Sequence, residues 1–117
     1  MWRALLLLLI VVVSYLALTP EPPASITLGW DKLNHMAAFT ALAFSAYLSF
    51  RASRVTLLIL PFGLLAFGGL IEVLQLFVPG RSSEWGDLLA DSIGIACGAF
   101  IASSALWAVS RLQRRSR

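Results

Sequence analysis

The chain has 117 residues, of which 59% are hydrophobic and 13% charged, against roughly half apolar and a quarter charged in ordinary soluble domains. A globule this small has too much surface to hide that apolar excess, which excludes an ordinary soluble domain and points to a membrane protein. The formal charge of +3 does not signal nucleic-acid binding, because the basic residues sit at the ends of apolar runs, and the lone Cys97, expected as a small buried side chain, has no disulfide or zinc partner at a usable spacing.

Four apolar segments follow one another along the chain. The first, about 4–18, reads "ALLLLLIVVVSYLAL" and is short but nearly free of polar groups. With its basic start it also resembles a signal peptide. Retention is the expectation, because no small-x-small cleavage site follows and Tyr15 and Leu16 occupy that region. The second segment, about 31–50, begins "DKLNHMAAF"; the third, about 55–78, contains Pro61, Gly63, Gly68 and Gly69; the fourth, about 87–110, begins "DLLADSIGIACGA". A spanning helix needs about 20 residues. The segments lack the alternation of barrel strands, and helices satisfy their own backbone groups in lipid. The expected fold is all-α: one domain of residues 1–117, a polytopic bundle of four transmembrane helices.

Charge sets the expected orientation. Arg3, Arg51, Arg54, Arg111, Arg114, Arg115 and Arg117 lie before the first segment, between the second and third, and after the fourth, with no acidic residue among them. The other two links and their helix starts carry Glu21, Asp31, Lys32, Arg81, Glu84 and Asp87. The positive-inside rule then places both termini in the cytoplasm. Trp30 and Trp85 would mark the outer interface, Trp2 and Trp107 the inner one.

On that topology three segments place ionisable groups at one depth. Glu72, six residues before Val78, would lie about 9 Å inside. His35 and Asp91 would each lie one turn inside their helix starts. Pro61, Leu65, Gly68, Glu72 and Gln75 share a face of the third segment, and Asp87, Asp91, Gly94, Gly98 and Ala102 share one on the fourth. On the second, Asp31 and His35 lead a small-residue stripe, Ala38, Ala41, Ser45 and Ser49. Such stripes let membrane helices approach closely. Ionisable residues on the same faces then point into an outward polar mouth, the usual setting of functional groups in membranes.

Each residue also has a plainer reading. Asp31 and Asp87 stand where a carboxylate caps a helix N-terminus. Lys32 can anchor at the interface, Arg81 can be solvated in its loop, and Gln75 can simply hold Glu72. His35, Glu72 and Asp91 can form a structural hydrogen-bond network.

The stretches "WDKLNHMAAF", "GGLIEVLQLFVPGR" and "DLLADSIGIACGA" resemble the VanZ-like family of small bacterial membrane proteins. The matching residues are Asp31, Lys32 and His35; Glu72 and Gln75; Pro79 and Arg81; and Asp87, Ala90 and Gly94. Asp91 stands where that family often has asparagine. The resemblance implies a four-helix protein of the bacterial cytoplasmic membrane. The founding member is associated with teicoplanin resistance, so a role in glycopeptide resistance or envelope homeostasis is implied.

Two functions from different classes fit. In the first, Asp31, Lys32, His35, Glu72, Gln75, Arg81, Asp87 and Asp91 bind an amphiphilic envelope molecule, such as a lipid-linked wall precursor or a lipoglycopeptide. In the second, the chain is an intramembrane hydrolase or transferase with His35 as base and Glu72 as acid, although no nucleophile stands out near them. A third reading, that the polar mouth serves only assembly, ranks below binding, because the small-residue stripes could serve assembly without a charge at Glu72. The expected partners are membrane lipids and no nucleic acid. No cofactor and no metal is expected, since one histidine with carboxylates such as Glu72 and Asp91 is a weak metal signature.

Overall fold

The computed structural model describes residues 1–20, 31–50 and 53–117. Glu21, Trp30 and Arg51 lie outside the described residues. The elements are α1 (Trp2–Leu18), α2 (Asp31–Ser49), α3 (Arg54–Gln75) and α4 (Trp85–Arg115), and no strand occurs among the described residues. The all-helical expectation holds in four elements. The third helix ends at Gln75 rather than near Val78, and the fourth starts two residues before Asp87. By length and composition α3 and α4 are apolar enough to cross a membrane; α1 is apolar but has 17 residues, and α2 does not meet that standard. The polar first turn of α2 accounts for its shortfall.

Polar side chains share the interior with an apolar core, and large apolar side chains cover much of the surface. His35, Ser45, Glu72, Gln75, Asp87 and Asp91 are buried, whereas Leu8, Val11, Leu58, Phe62, Leu70 and Phe100 are exposed. Apolar exposure on this scale is foreign to soluble monomers and consistent with a membrane protein.

Helices α2 and α4 form the most extensive interface and run parallel, with neighbouring N-termini. Gly94 and Gly98 make it possible. A Cβ at Gly94 would lie 2.6 Å from the Met36 carbonyl oxygen and 3.1 Å from the Thr40 nitrogen; one at Gly98 would lie 2.8 Å from Ala43 Cβ and 2.9 Å from the Phe44 nitrogen. The backbone of α2 therefore rests on the bare glycine face. The whole stripe expected on α4, Asp87, Asp91, Gly94, Gly98 and Ala102, is buried. The stripe expected on α2 is not the surface that meets these glycines. That surface is Met36, Phe39, Thr40, Ala43 and Phe44, while Ala38, Ala41 and Ser49 are half-buried and Ser45 is buried elsewhere in the bundle. Glycines on one helix suffice for close approach, so the facing helix can spend bulky residues beside them. Cys97 is also exposed rather than buried, because it lies off the Gly94–Gly98 face, beside Ile93, Phe100 and Ile101, which are exposed too.

Helix α1 packs antiparallel to α2. Trp2 meets Phe44 edge-on at 5.6 Å between ring centroids, and the Arg3 guanidinium lies 5.5 Å from the centre of the Phe50 ring. Leu6, Phe39, Leu42, Ala43, Ala46, Leu64 and Ile95 form the apolar core. In α3, Pro61 has no N–H to give to the carbonyl of Leu57, four residues back. Tyr47 of α2 donates its hydroxyl to that same carbonyl at 3.0 Å. A backbone acceptor freed by proline inside an apolar bundle is thus satisfied by a neighbouring helix.

Candidate functional site

The polar residues collect at one end of the bundle, where α2 and α4 begin and α1 and α3 finish. Helix α3 stops at Gln75, and the chain turns through Gly80, whose φ of 79° favours a residue without a Cβ. The chain then folds back over Glu72. Ser83 donates its hydroxyl to Glu72 Oε2 at 3.0 Å, and the Glu84 backbone N–H donates to the same oxygen at 3.1 Å. Glu84 is the N-cap residue of α4, so the Glu72 carboxylate ties the end of α3 to the start of α4.

His35 lies at the centre of the cluster. Its Nδ1 is 2.8 Å from Asp91 Oδ1, a hydrogen bond in which the ring N–H donates to a carboxylate that is 0% exposed. Its Nε2 faces three more carboxylates: Glu72 Oε1 at 3.7 Å, Asp87 Oδ2 at 3.7 Å and Asp31 Oδ2 at 3.8 Å. Asp31, His35 and Asp87 bring their ligand atoms within 4.8 Å of one another, which makes them the residues best placed to hold a cation. His35, Glu72 and Asp91, the set that the sequence offers only as a weak metal signature, do not meet on one side of the ring, because Asp91 takes the opposite nitrogen. An asparagine at 91 would offer the same acceptor oxygen.

Lys32 reaches Glu84 Oε2 at 2.7 Å and Asp87 Oδ1 at 3.3 Å. Its stem crosses Gly86, where an added Cβ would meet Lys32 Cε at 3.1 Å. Lys32 is therefore tied into the cluster rather than extended as a free interfacial anchor, and its ammonium holds the Glu84 carboxyl below the usual carboxylate range. Asp87 does not cap α4. The helix begins earlier, and its side chain turns inward to Lys32 and His35.

Gln75 and Arg81 serve a different purpose from the one expected. Gln75 donates to the Ala17 carbonyl at 2.9 Å instead of holding Glu72. Arg81 donates to the Thr19 carbonyl at 2.8 Å and also to the Leu16 carbonyl, and its nearest contact with the cluster is Asp31 Oδ1 at 3.9 Å. Both residues satisfy the orphan carbonyls at the end of α1, and the Arg81 cation also complements its dipole.

The cluster is closed where an open mouth was expected. The side chains of His35, Glu72, Asp87 and Asp91 are at most 8% exposed, while Asp31 is 48% exposed. The Ser83–Glu84 turn and the Lys32 side chain lie against it. Ser83 was missed by sequence reasoning as a partner of Glu72; a serine pair after a Pro-Gly-Arg turn gives no sign of which carboxylate it will meet. Among the described residues, four buried side-chain oxygens have no hydrogen-bond partner: Glu72 Oε1, Gln75 Oε1, Asp87 Oδ2 and Asp91 Oδ2. The last of these packs against Gly68, where an added Cβ would collide with it.

Beyond the cluster an apolar groove lies between helices, lined by Pro61 and Leu65 of α3 and Ile95, Ala96 and Ala99 of α4, with Tyr47 of α2 at its side. No curated protein and no solved structure matches the chain. A sequence model of the VanZ/LLP1 family matches residues 4–108, a range that takes in α2, α3, most of α1 and α4 and every residue of the polar cluster, and the chain belongs to that family.

Proposed function

We propose that the chain is a multi-pass protein of the bacterial cytoplasmic membrane that binds an amphiphilic envelope molecule. On this reading all four helices span the bilayer, both termini are cytoplasmic, and the polar cluster faces outward. The cluster holds the molecule's polar head, and the α3–α4 groove takes its apolar tail. The observation that carries this reading is the segregation of charge. Carboxylates, Lys32, His35 and Arg81 are gathered at one end, while Arg3, Arg54 and the arginines from Arg111 onward belong to the other. Cationic ends stay on the cytoplasmic side, and ionisable groups are retained inside a membrane bundle where they serve a ligand or ion. Asp31, Lys32 and Glu84 form the exposed rim through which a head group would be met. A part in glycopeptide resistance or envelope homeostasis rests on the family alone.

An enzyme that forms a covalent intermediate would need a side-chain nucleophile beside His35 and Glu72. Among the described residues the hydroxyl bonded to Glu72 is that of Ser83, which together with the Glu84 N–H clamps Glu72 to the start of α4. Binding is the reading adopted, and a hydrolase that activates water through His35 is the alternative.

The test is extraction in mild detergent followed by mass spectrometry of copurified lipids. A lipid-linked or amphiphilic species should accompany the wild type in stoichiometric amount and be lost from a Leu65→Trp, Ala96→Trp variant that fills the groove. Bulk phospholipid alone, unchanged by that variant, would refute the reading. A reporter fused after Arg117 should be active only in its cytoplasmic form.

A further inference from the structure

We infer that the His35 cluster is a binding site for one divalent cation of the nitrogen–oxygen class, manganese or zinc, with Asp31, His35, Glu72 and Asp87 as ligands. The inference does not depend on an amphiphile being bound, and it departs from the sequence-based expectation of no metal.

The first observation is convergence. Three carboxylate oxygens from three helices surround His35 Nε2 at 3.7, 3.7 and 3.8 Å. These separations are too long for hydrogen bonds, which end near 3.2 Å. With metal–ligand bonds of about 2.0–2.2 Å, neighbouring donors around a tetrahedral ion stand about 3.4 Å apart. Asp31, His35 and Asp87 bring one ligand atom each within 4.8 Å of one another, so these three must draw together by up to roughly 1 Å to close on an ion, and Glu72 approaches from the side of His35 Nε2.

The second observation is independent of the first. Among the described residues, Glu72 Oε1 and Asp87 Oδ2 are buried without a hydrogen-bond partner, on side chains that are 4% and 2% exposed. A buried carboxylate oxygen left without a donor is costly. A protonated Nε2 would have a single N–H for three acceptors, none of them within reach.

The third observation concerns the remaining oxygens. Each carboxylate gives one oxygen to the centre and the other to an outer partner. Glu72 Oε2 receives Ser83 and the Glu84 N–H, Asp87 Oδ1 receives Lys32, and Asp31 Oδ1 lies nearest Arg81. His35 Nδ1 is held by Asp91, which fixes the ring so that the lone pair of a neutral imidazole points from Nε2 to the centre. Outer partners that orient each ligand, including a carboxylate behind the histidine, are the hallmark of metal sites. A divalent ion would also offset the excess of negative charge, since Asp31, Glu72, Glu84, Asp87 and Asp91 face only Lys32 and Arg81 as permanent cations. The half-exposed Asp31 gives the ion a way in.

Manganese chloride titrated into the full chain, purified in detergent without a polyhistidine tag and stripped with a chelator, tests the inference. One ion should bind per chain and be displaced by zinc. Pulsed electron paramagnetic resonance should show nitrogen coupling from a single imidazole, an unambiguous signature because His35 is the only histidine. Asp87→Asn should weaken binding at least as much as Asp91→Ala, for which the loss of an outer partner predicts about 10–100-fold. Ser110→Ala, at the opposite end of α4 and bonded only to the Trp107 carbonyl, should leave affinity unchanged. If Asp87→Asn fails to fold, the wild-type nitrogen signal decides by itself. Failure of both manganese and zinc to bind one-to-one overturns the inference, as does bound manganese without imidazole coupling.

Discussion

Replacing Gly98 by alanine isolates the contact that brings α2 and α4 together. In a helix where nothing opposes the methyl group, glycine to alanine is worth about 0.5–1 kcal/mol in favour of alanine. At Gly98 the methyl would lie 2.8 Å from Ala43 Cβ and 2.9 Å from the Phe44 nitrogen, and would press on the Thr40 carbonyl. Carbon atoms pack best at about 3.5–4.0 Å, so α2 must retreat by roughly 0.7 Å or more. Two of the obstructing atoms are backbone and cannot rotate away. A gap of that size forfeits a quarter to a half of the dispersion energy along the seam, and overpacking of this kind costs about 1–3 kcal/mol. The net expectation is a loss of about 1–2 kcal/mol, reversing the sign of the helix propensity. Gly69 is the control, because a Cβ there meets nothing within 4 Å, and Gly69→Ala should be neutral or mildly stabilising. Reversible unfolding in mixed micelles, followed by circular dichroism, measures both. A Gly98→Ala protein as stable as wild type would mean that the two helices do not pack on the glycine face.

Three further outcomes are expected. Tyr47→Phe leaves the Leu57 carbonyl without its donor and should lower unfolding stability by about 1–2 kcal/mol; adding Pro61→Ala restores an N–H and should recover most of that loss, and no recovery would contradict the pairing. Arg81→Met removes the donors to Leu16 and Thr19 and should cost about 2 kcal/mol, the scale of hydrogen bonds to a charged group, with hydrogen exchange quickening in the last turn of α1 and not in α4. The Glu84 carboxyl is held low by Lys32, so its contribution is present above the ordinary glutamate pKa of about 4.3 and fades as the pH falls through its lowered value. Wild type and Glu84→Gln should therefore differ slightly in melting temperature at pH 7 and converge in acid, and a difference that grows toward pH 3 would reverse the sign.

Periodicity in the sequence located the helices and the packed face of α4, because membrane helices that touch closely must thin their side chains at the contact. It also identified Asp31, His35, Glu72, Asp87 and Asp91 as polar groups at one end. It could not say which carboxylate takes which histidine nitrogen, since that depends on a rotation of α4 finer than its period. Nor could it separate Gln75 and Arg81 from the cluster. Both lie within nine residues of Glu72 in the sequence, yet their destination is the end of α1, whose open carbonyls are invisible in a run of leucine and valine. The α2 stripe misled for a related reason: small residues permit close approach without requiring it, and here the glycines of α4 were enough.

Helix polarity sorts most of these charges. Asp31, Asp87 and Asp91 lie in the first two turns of α2 and α4, where free N–H groups and the dipole favour a carboxylate, and Arg81 lies at the end of α1, where open carbonyls favour a cation. The parallel packing that Gly94 and Gly98 allow brings the two positive helix ends together, which is why three aspartates can share one place. Glu72 does not follow this sorting. It stands one turn from the C-terminal end of α3, where the dipole opposes a negative charge, and it is buried. Two hydrogen bonds from Ser83 and Glu84 satisfy Oε2, but Oε1 is left facing His35 Nε2 across 3.7 Å. A glutamine would clamp the start of α4 through its carbonyl just as well, and a leucine would fill the space more cheaply in a bundle whose close packing already comes from the glycines. The hydrogen bonds to Oε2 therefore do not by themselves require a carboxylate at position 72. What a carboxylate adds is a second oxygen that needs no proton and faces His35 Nε2, which is what the cation site inferred above would use.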